Sequence, residues 1–294
     1  MSYFVITHPR SGSSNLCVAI SKIMSERSPT WNLDEFFHVG CTQLWGDARK
    51  LEKKIIEKGT VLEIFYNFQK KINCETFYSS KIRNEICRSR LLDSDEFTCW
   101  KERELVKRFE FLEKLNLEEQ QYVVKIFIDS PYWFDHKFPS DRSVILYRKD
   151  FFDSILSILI KNHYRNSISE NYFIDRYKGD RMDVPDFTFS IDYQTFHGTT
   201  NYFFNFLRFC RDNKNIDRIS YEDLYNGDRD IRLFDQNYNR DQLTFIERKM
   251  QYSKDKIRYI KNHKEIYKWY IERIEKENLN EICDILKINL NKII

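Results

Sequence analysis

Residues 3–20 read YFVITHPRSGSSNLCVAI, and this stretch decides the fold. Tyr3 to Thr7 is a short β-branched and aromatic run of the kind that forms a buried strand. Pro9 to Gly12 interrupt it, and Asn15 to Met24 then follow a helical pattern. A strand that turns tightly into a helix aims backbone N–H groups and the positive end of the helix dipole at one spot. Gly12 lets an anion approach the backbone there. Ser11, Ser13 and Ser14 add hydroxyl donors, and Arg10 adds a permanent, multidentate cation. The bland alternative is a strand-to-helix turn in which a serine merely caps the helix.

Working outward, Tyr122 to Ile128 and Ser143 to Tyr147 read as further buried strands, and a weaker one ends at Ser220 and Tyr221. Phe151 to Ile160 is apolar nearly all round, so it is expected as a helix buried against the sheet. Strands alternating with helices predict an α/β fold: a three-layer, P-loop-type parallel β-sheet flanked by helices, in one domain spanning residues 1–294. Residues 47–120 carry Lys, Glu, Phe and Leu at helix-like spacing, with only Val61 to Phe65 ambiguous, and read as a helical insertion. Residues 166–200 mix polar residues with Tyr and Phe around Gly179 and Pro185, and read as a long functional loop. Near the C-terminus, most of the charge of Lys254, Lys256, Arg258, Lys261 and Lys264 reads as the solvated face of a helical region.

Composition narrows the function. The 294 residues are 41% hydrophobic and 32% charged, enough for a sizeable core and too much for a disordered chain. Lys and Arg number 48 against 45 Asp and Glu, a balance of +3 that makes no case for nucleic acid, so any anion site must be local. Seven scattered cysteines include no Cys-x-x-Cys pair and suggest reduced thiols rather than a disulfide framework or structural zinc. Tyr3 to Thr7 is far shorter than a leader or membrane-spanning run, so a cytoplasmic protein is expected.

The turn at residues 9–14, Pro-Arg-Ser-Gly-Ser-Ser, is not a Walker A loop, because no lysine follows Gly12. It resembles the 5′-phosphosulfate loop of the sulfotransferases, Pro-Lys/Arg-Ser-Gly-Ser/Thr-Ser/Thr, which lies between their first strand and first helix. The stretch from Ser143 to Ser157 is similar to the strand, Arg, helix and Ser element with which that family holds the 3′-phosphate of its donor, 3′-phosphoadenosine 5′-phosphosulfate. That likeness implies Arg148 and Ser157 as the 3′-phosphate ligands, with Ser154 as a rival to Ser157. Tyr122-Val-Val-Lys-Ile-Phe resembles the family's central strand, and Ile219-Ser-Tyr-Glu-Asp-Leu its Tyr-Glu-Asp-Leu strand end. The C-terminal Arg-Lys-Gly-x-x-Gly-Asp-Trp string of the animal cytosolic branch is missing, so the closer likeness is to bacterial and phage-type sulfotransferases. Roughly half of the chain, its sheet-forming part, takes part in the resemblance.

As implied by the resemblance, Pro9, Arg10, Ser11, Gly12, Ser13, Ser14, Arg148 and Ser157 bind the donor. The reaction is then sulfuryl transfer to a hydroxyl acceptor, a carbohydrate or small molecule, without a metal. Leu33-Asp-Glu-Phe-Phe-His38 resembles the family's Leu-x-Glu-Phe/Tyr-Phe segment, which implies Glu35 as general base beside a charge-stabilising Arg10. His38 and His8 stand as alternatives, histidine being the commonest base near neutrality. Aromatic residues at Tyr172, Phe173, Tyr177 and Phe187 are candidates to stack on a sugar or line a lipid slot, against core packing as the commoner use in a chain that is 16% aromatic. Two competing readings keep the same fold. One is a P-loop kinase or NTPase, and the other is a non-catalytic module that binds an anion or a partner.

Overall fold

In the computed structural model every strand of the main sheet runs in the same direction. The described residues are 1–9, 11–28, 30–34, 105–106, 109, 113, 121–129, 132–167, 188–226, 230–234, 236–244 and 256–290. Arg10, Glu35, His38 and most of the expected 47–120 insertion lie outside them, as do the four aromatic residues of the 166–200 segment. Of the insertion, Leu105, Val106, Phe109 and Glu113 are described, and all four are helical.

The sheet is built from β1 (Ser2–Thr7), β2 (Thr30–Asp34), β3 (Gln121–Phe127), β4 (Ser143–Tyr147) and β5 (Asp217–Ser220). Their order across the sheet is β2-β3-β1-β4-β5, all pairs parallel. Successive side chains on a strand point to opposite faces, which divides the core in two. On one face Val5, Val123, Val144, Leu146 and Ile219 pack with Leu16, Cys17, Ala19 and Ile20 of α1 (Ser13–Ser25). On the other face Phe4, Ile6, Val124, Ile126 and Ile145 meet α2 (Phe151–Ser167) and α3 (Tyr193–Asp212). The same cluster takes in residues of α5 (His263–Lys276) and α6 (Asn280–Ile285), which follow the short α4 (Tyr221–Asn226). The expected three-layer α/β arrangement is therefore present, with α2 buried as its apolar character requires.

Strand order places the site. The chain leaves β1 through α1 toward β2 on one side, and leaves β4 through α2 and α3 toward β5 on the other. Right-handed crossovers in opposite directions put the intervening helices on opposite faces. The carboxyl ends of β1 and β4 therefore diverge, and such a switch point is where open α/β sheets place their ligands.

Two expectations need correction. β2 was not foreseen, because Pro29 and the polar Asn32 and Asp34 disguise a short edge strand whose apolar signal is only Trp31 and Leu33. The segment expected as a loop over 166–200 is helical at both ends: α2 runs to Ser167, and α3 begins at Tyr193. Asp192 caps α3 by accepting a 2.8 Å hydrogen bond from the Thr195 N–H, and Phe196, Thr200, Phe203 and Phe204 form its buried face. Thr and Gly198 within that pattern hid the period from the sequence. Among the C-terminal charges Lys256 is the exception, mostly buried and ion-paired with Asp153 at the start of α2, and Lys254 lies outside the described residues. Arg258, Lys261 and Lys264 are exposed as expected.

A hairpin of β6 (Ile231–Leu233) and β7 (Gln236–Tyr238) completes the core on the α1 side. Cys17, Cys210 and Cys283 are all buried. Among the described residues no helix is long and apolar enough to cross a membrane.

Candidate functional site

The loop after β1 is fixed from beneath by its own hydroxyls. Thr7 Oγ1 lies 2.9 Å from the Leu146 carbonyl, which takes its proton, and 2.5 Å from Ser11 Oγ. Ser11 is therefore the donor between the two hydroxyls, and it is fully buried. The sequence assigned its hydroxyl to a ligand, whereas in the structure it bonds Thr7 at the end of β1, which in turn bonds β4. Ser13 is also buried, and Ser14 is the serine that the loop exposes.

Gly12 caps α1 in the left-handed conformation, with φ 86°. A Cβ built there would stand 2.5 Å from Tyr221 Cε2 and 2.7 Å from Cδ2. Two independent constraints thus demand glycine: the backbone conformation and the aromatic ring where a side chain would go. No acidic side chain lies in the first turn of α1 to neutralise its positive end. Gly12→Ala is expected to lower stability by roughly 2–4 kcal/mol, combining left-handed strain with overpacking. Urea unfolding of Gly12→Ala, Tyr221→Ala and the double variant measures both parts. The double variant should lose less than the sum of the singles, and strict additivity would show that the ring contact contributes nothing.

Lys125 was not singled out as a site residue. It sits on β3 opposite Val5, is 2% exposed, and points to the α1 face by alternation with Val123. Its Nζ donates a 2.7 Å hydrogen bond to Ser14 Oγ, which brings a buried cation under the start of α1.

The second loop follows β4. The guanidinium of Arg148 lies 4.3 Å over the ring of Tyr221, the same ring that fills the space beside Gly12. Arg148 Nε is buried and meets no acceptor among the described residues. The next residue is already committed: Lys149 donates its backbone N–H to Glu222 at 2.9 Å and its Nζ to Asp223 at 2.6 Å. Tyr221, Glu222 and Asp223 open α4 directly after β5. The expected Tyr-Glu-Asp-Leu strand end therefore joins the strand-end loops of β1 and β4 by its aromatic ring and its carboxylates.

Comparison of the chain with protein-family models, curated proteins and solved structures finds no match.

His8 takes a part that the sequence did not suggest. Its side chain is wholly buried against Phe151, Phe203 and Phe206, with ring centroids 4.8, 5.4 and 5.1 Å away. Burial pushes its pKa down to about 3, helped by the nearby Arg148 charge and opposed by a hydrogen bond to Pro9. A buried imidazole with both nitrogens engaged is not placed to take a proton from an acceptor. His8 therefore drops out as a general base, and Glu35 and His38, outside the described residues, remain.

The two serines offered for the 3′-phosphate both lie on α2. Ser154 is 1% exposed, and its Oγ has no hydrogen-bond partner among the described residues. Ser157 is half-buried. An unmatched buried hydroxyl is costly unless a ligand or water completes it, which keeps Ser154 as a full rival to Ser157.

Proposed function

We propose that this chain is a sulfotransferase that moves the sulfuryl group of 3′-phosphoadenosine 5′-phosphosulfate to a hydroxyl acceptor, a carbohydrate or small molecule. One observation carries the reading. At the β1/β4 switch point a glycine-capped helix start, the Lys125–Ser14 pair and an Arg148 whose Nε meets no acceptor among the described residues converge from three strands. Polar groups so arranged suit an extended ligand with anionic groups at two places. Within it, the first turn of α1, Ser14 and Lys125 face the 5′-phosphosulfate, and Arg148 with Ser154 or Ser157 faces the 3′-phosphate. Arg10 and Pro9 belong to the same loop.

In the transfer the acceptor oxygen bonds to sulfur while the bond from sulfur to the bridging phosphate oxygen breaks. The leaving adenosine 3′,5′-bisphosphate keeps that electron pair, and the hydroxyl proton passes to Glu35. Positive charge beside the bridging oxygen lowers the barrier because negative charge develops there.

Titration with adenosine 3′,5′-bisphosphate and with ATP plus Mg²⁺ tests the reading. Preference for the bisphosphate supports it, preference for ATP supports a kinase or NTPase, and binding of neither supports a non-catalytic module. Arg148→Ala should weaken the bisphosphate by about 10- to 100-fold, the loss of one charge-assisted contact, while adenosine 5′-phosphate changes little. Ser154→Ala and Ser157→Ala, measured in the same way, assign the serine. Equal losses for both nucleotides would mean that these residues serve the fold instead.

A further inference from the structure

We propose that His8 is a positioning residue: its neutral imidazole holds the Gly12 loop and the Arg148 backbone at one spacing, and thereby sets the preference for a 3′-phosphorylated ligand. This rests on the donor reading given above. The last paired residues of β1 and β4 are Thr7 and Leu146, where the ladder between them ends. Side chains continue the connection. Thr7 Oγ1 reaches the Leu146 carbonyl at 2.9 Å, and one residue further His8 Nε2 accepts the Arg148 N–H at 3.3 Å.

The other imidazole nitrogen, Nδ1, lies 2.8 Å from the Pro9 carbonyl. A carbonyl only accepts and an amide N–H only donates, so the tautomer is determined: Nδ1 carries the proton and Nε2 is bare. The ring is thus a strut between the backbone of the loop and the backbone of the residue that reaches for the 3′-phosphate. Phe151, Phe203 and Phe206 hold it in place. Protonation would set an imidazole N–H against the Arg148 N–H, and the dry aromatic setting opposes it. His8 touches no reacting atom in this arrangement; it acts through Arg148.

The test uses the full chain and three forms of it: wild type, His8→Phe and His8→Gln. Phenylalanine preserves aromatic packing and removes both hydrogen bonds, whereas glutamine keeps a side-chain acceptor that can extend toward the Arg148 N–H. Amide hydrogen exchange at Arg148 reads the strut without any ligand. Isothermal titration with adenosine 5′-phosphate and adenosine 3′,5′-bisphosphate reads its consequence. His8→Phe is expected to speed Arg148 exchange and to cut the bisphosphate-over-monophosphate preference, each by about tenfold, the scale of one or two hydrogen bonds. His8→Gln should restore part of both.

Unchanged exchange at Arg148 in His8→Phe would overturn the strut. Equal weakening of both nucleotides, without rescue by glutamine, would overturn the positioning role in favour of a purely structural one. If the wild-type chain binds the two nucleotides alike, the donor reading falls, and with it the selectivity assigned to His8. Faster exchange in His8→Phe would still uphold the strut in that case, so the two failures are distinguishable.

Discussion

Lys125→Met is expected to slow sulfuryl transfer by about 10²- to 10³-fold, the usual loss when one charge-stabilising donor is removed from a transition state. The side chain is 2% exposed and its Nζ bonds Ser14 at the start of α1, so its charge sits where the phosphosulfate would lie. Methionine is similar in length and apolar, and it suits a buried position on the α1 face of the sheet. Replacing a buried ammonium by an apolar side chain is often neutral or stabilising for the fold. The informative outcome is therefore a split: thermal stability equal to or above that of wild type, with transfer nearly lost. A variant that turns over at the wild-type rate would show that Lys125 merely fastens Ser14. A variant that unfolds near room temperature would show that the Lys125–Ser14 pair holds the loop, and the catalytic assignment would fall.

Glu35→Gln is expected to cost about 10²- to 10⁴-fold in transfer rate, the range for removal of a general base, while adenosine 3′,5′-bisphosphate binds as before. A carboxylate accepts a proton only when ionised, so with Glu35 as the base the wild-type rate would show a low-pH limb. Glutamine has no such titration, and the low-pH limb should vanish with the activity. Steady-state rates over a pH series, together with bisphosphate titration, check both parts. Activity retained in Glu35→Gln and lost in His38→Ala would move the base to the histidine. His8 is no longer in that contest, because its imidazole is buried and bonded at both nitrogens.

What could be read from the amino-acid order was whatever is encoded by neighbours in the chain. The β1 strand, the glycine turn and α1 lie within one short stretch, so their periodicities and the break between them announce a strand, a tight turn and a helix without help from elsewhere. Arg148 was legible for a similar reason, as a cation at the end of the apolar run 143–147. β2 was not, because it is short and its polar Asn32 and Asp34 break the apolar pattern. The start of α3 was hidden by threonines and a glycine that look like loop until Asp192 is seen to cap them.

Three assignments belong to the tertiary structure alone. A lysine inside a strand has no stated role in the sequence; the parallel register Val5↔Lys125, with β3 beside β1, brings it to Ser14. Tyr221 is far from Gly12 in the chain, yet the crossover to β5 delivers its ring to the space that glycine leaves open and under the Arg148 guanidinium. His8 has the composition of a base and the surroundings of a strut. Local sequence determined that β1 feeds a glycine turn and a helix suited to an anion, because backbone conformation depends mostly on adjacent residues. Strand order and register decided which distant side chains complete that turn and which of them can ionise, because burial and proximity are properties of the assembled sheet.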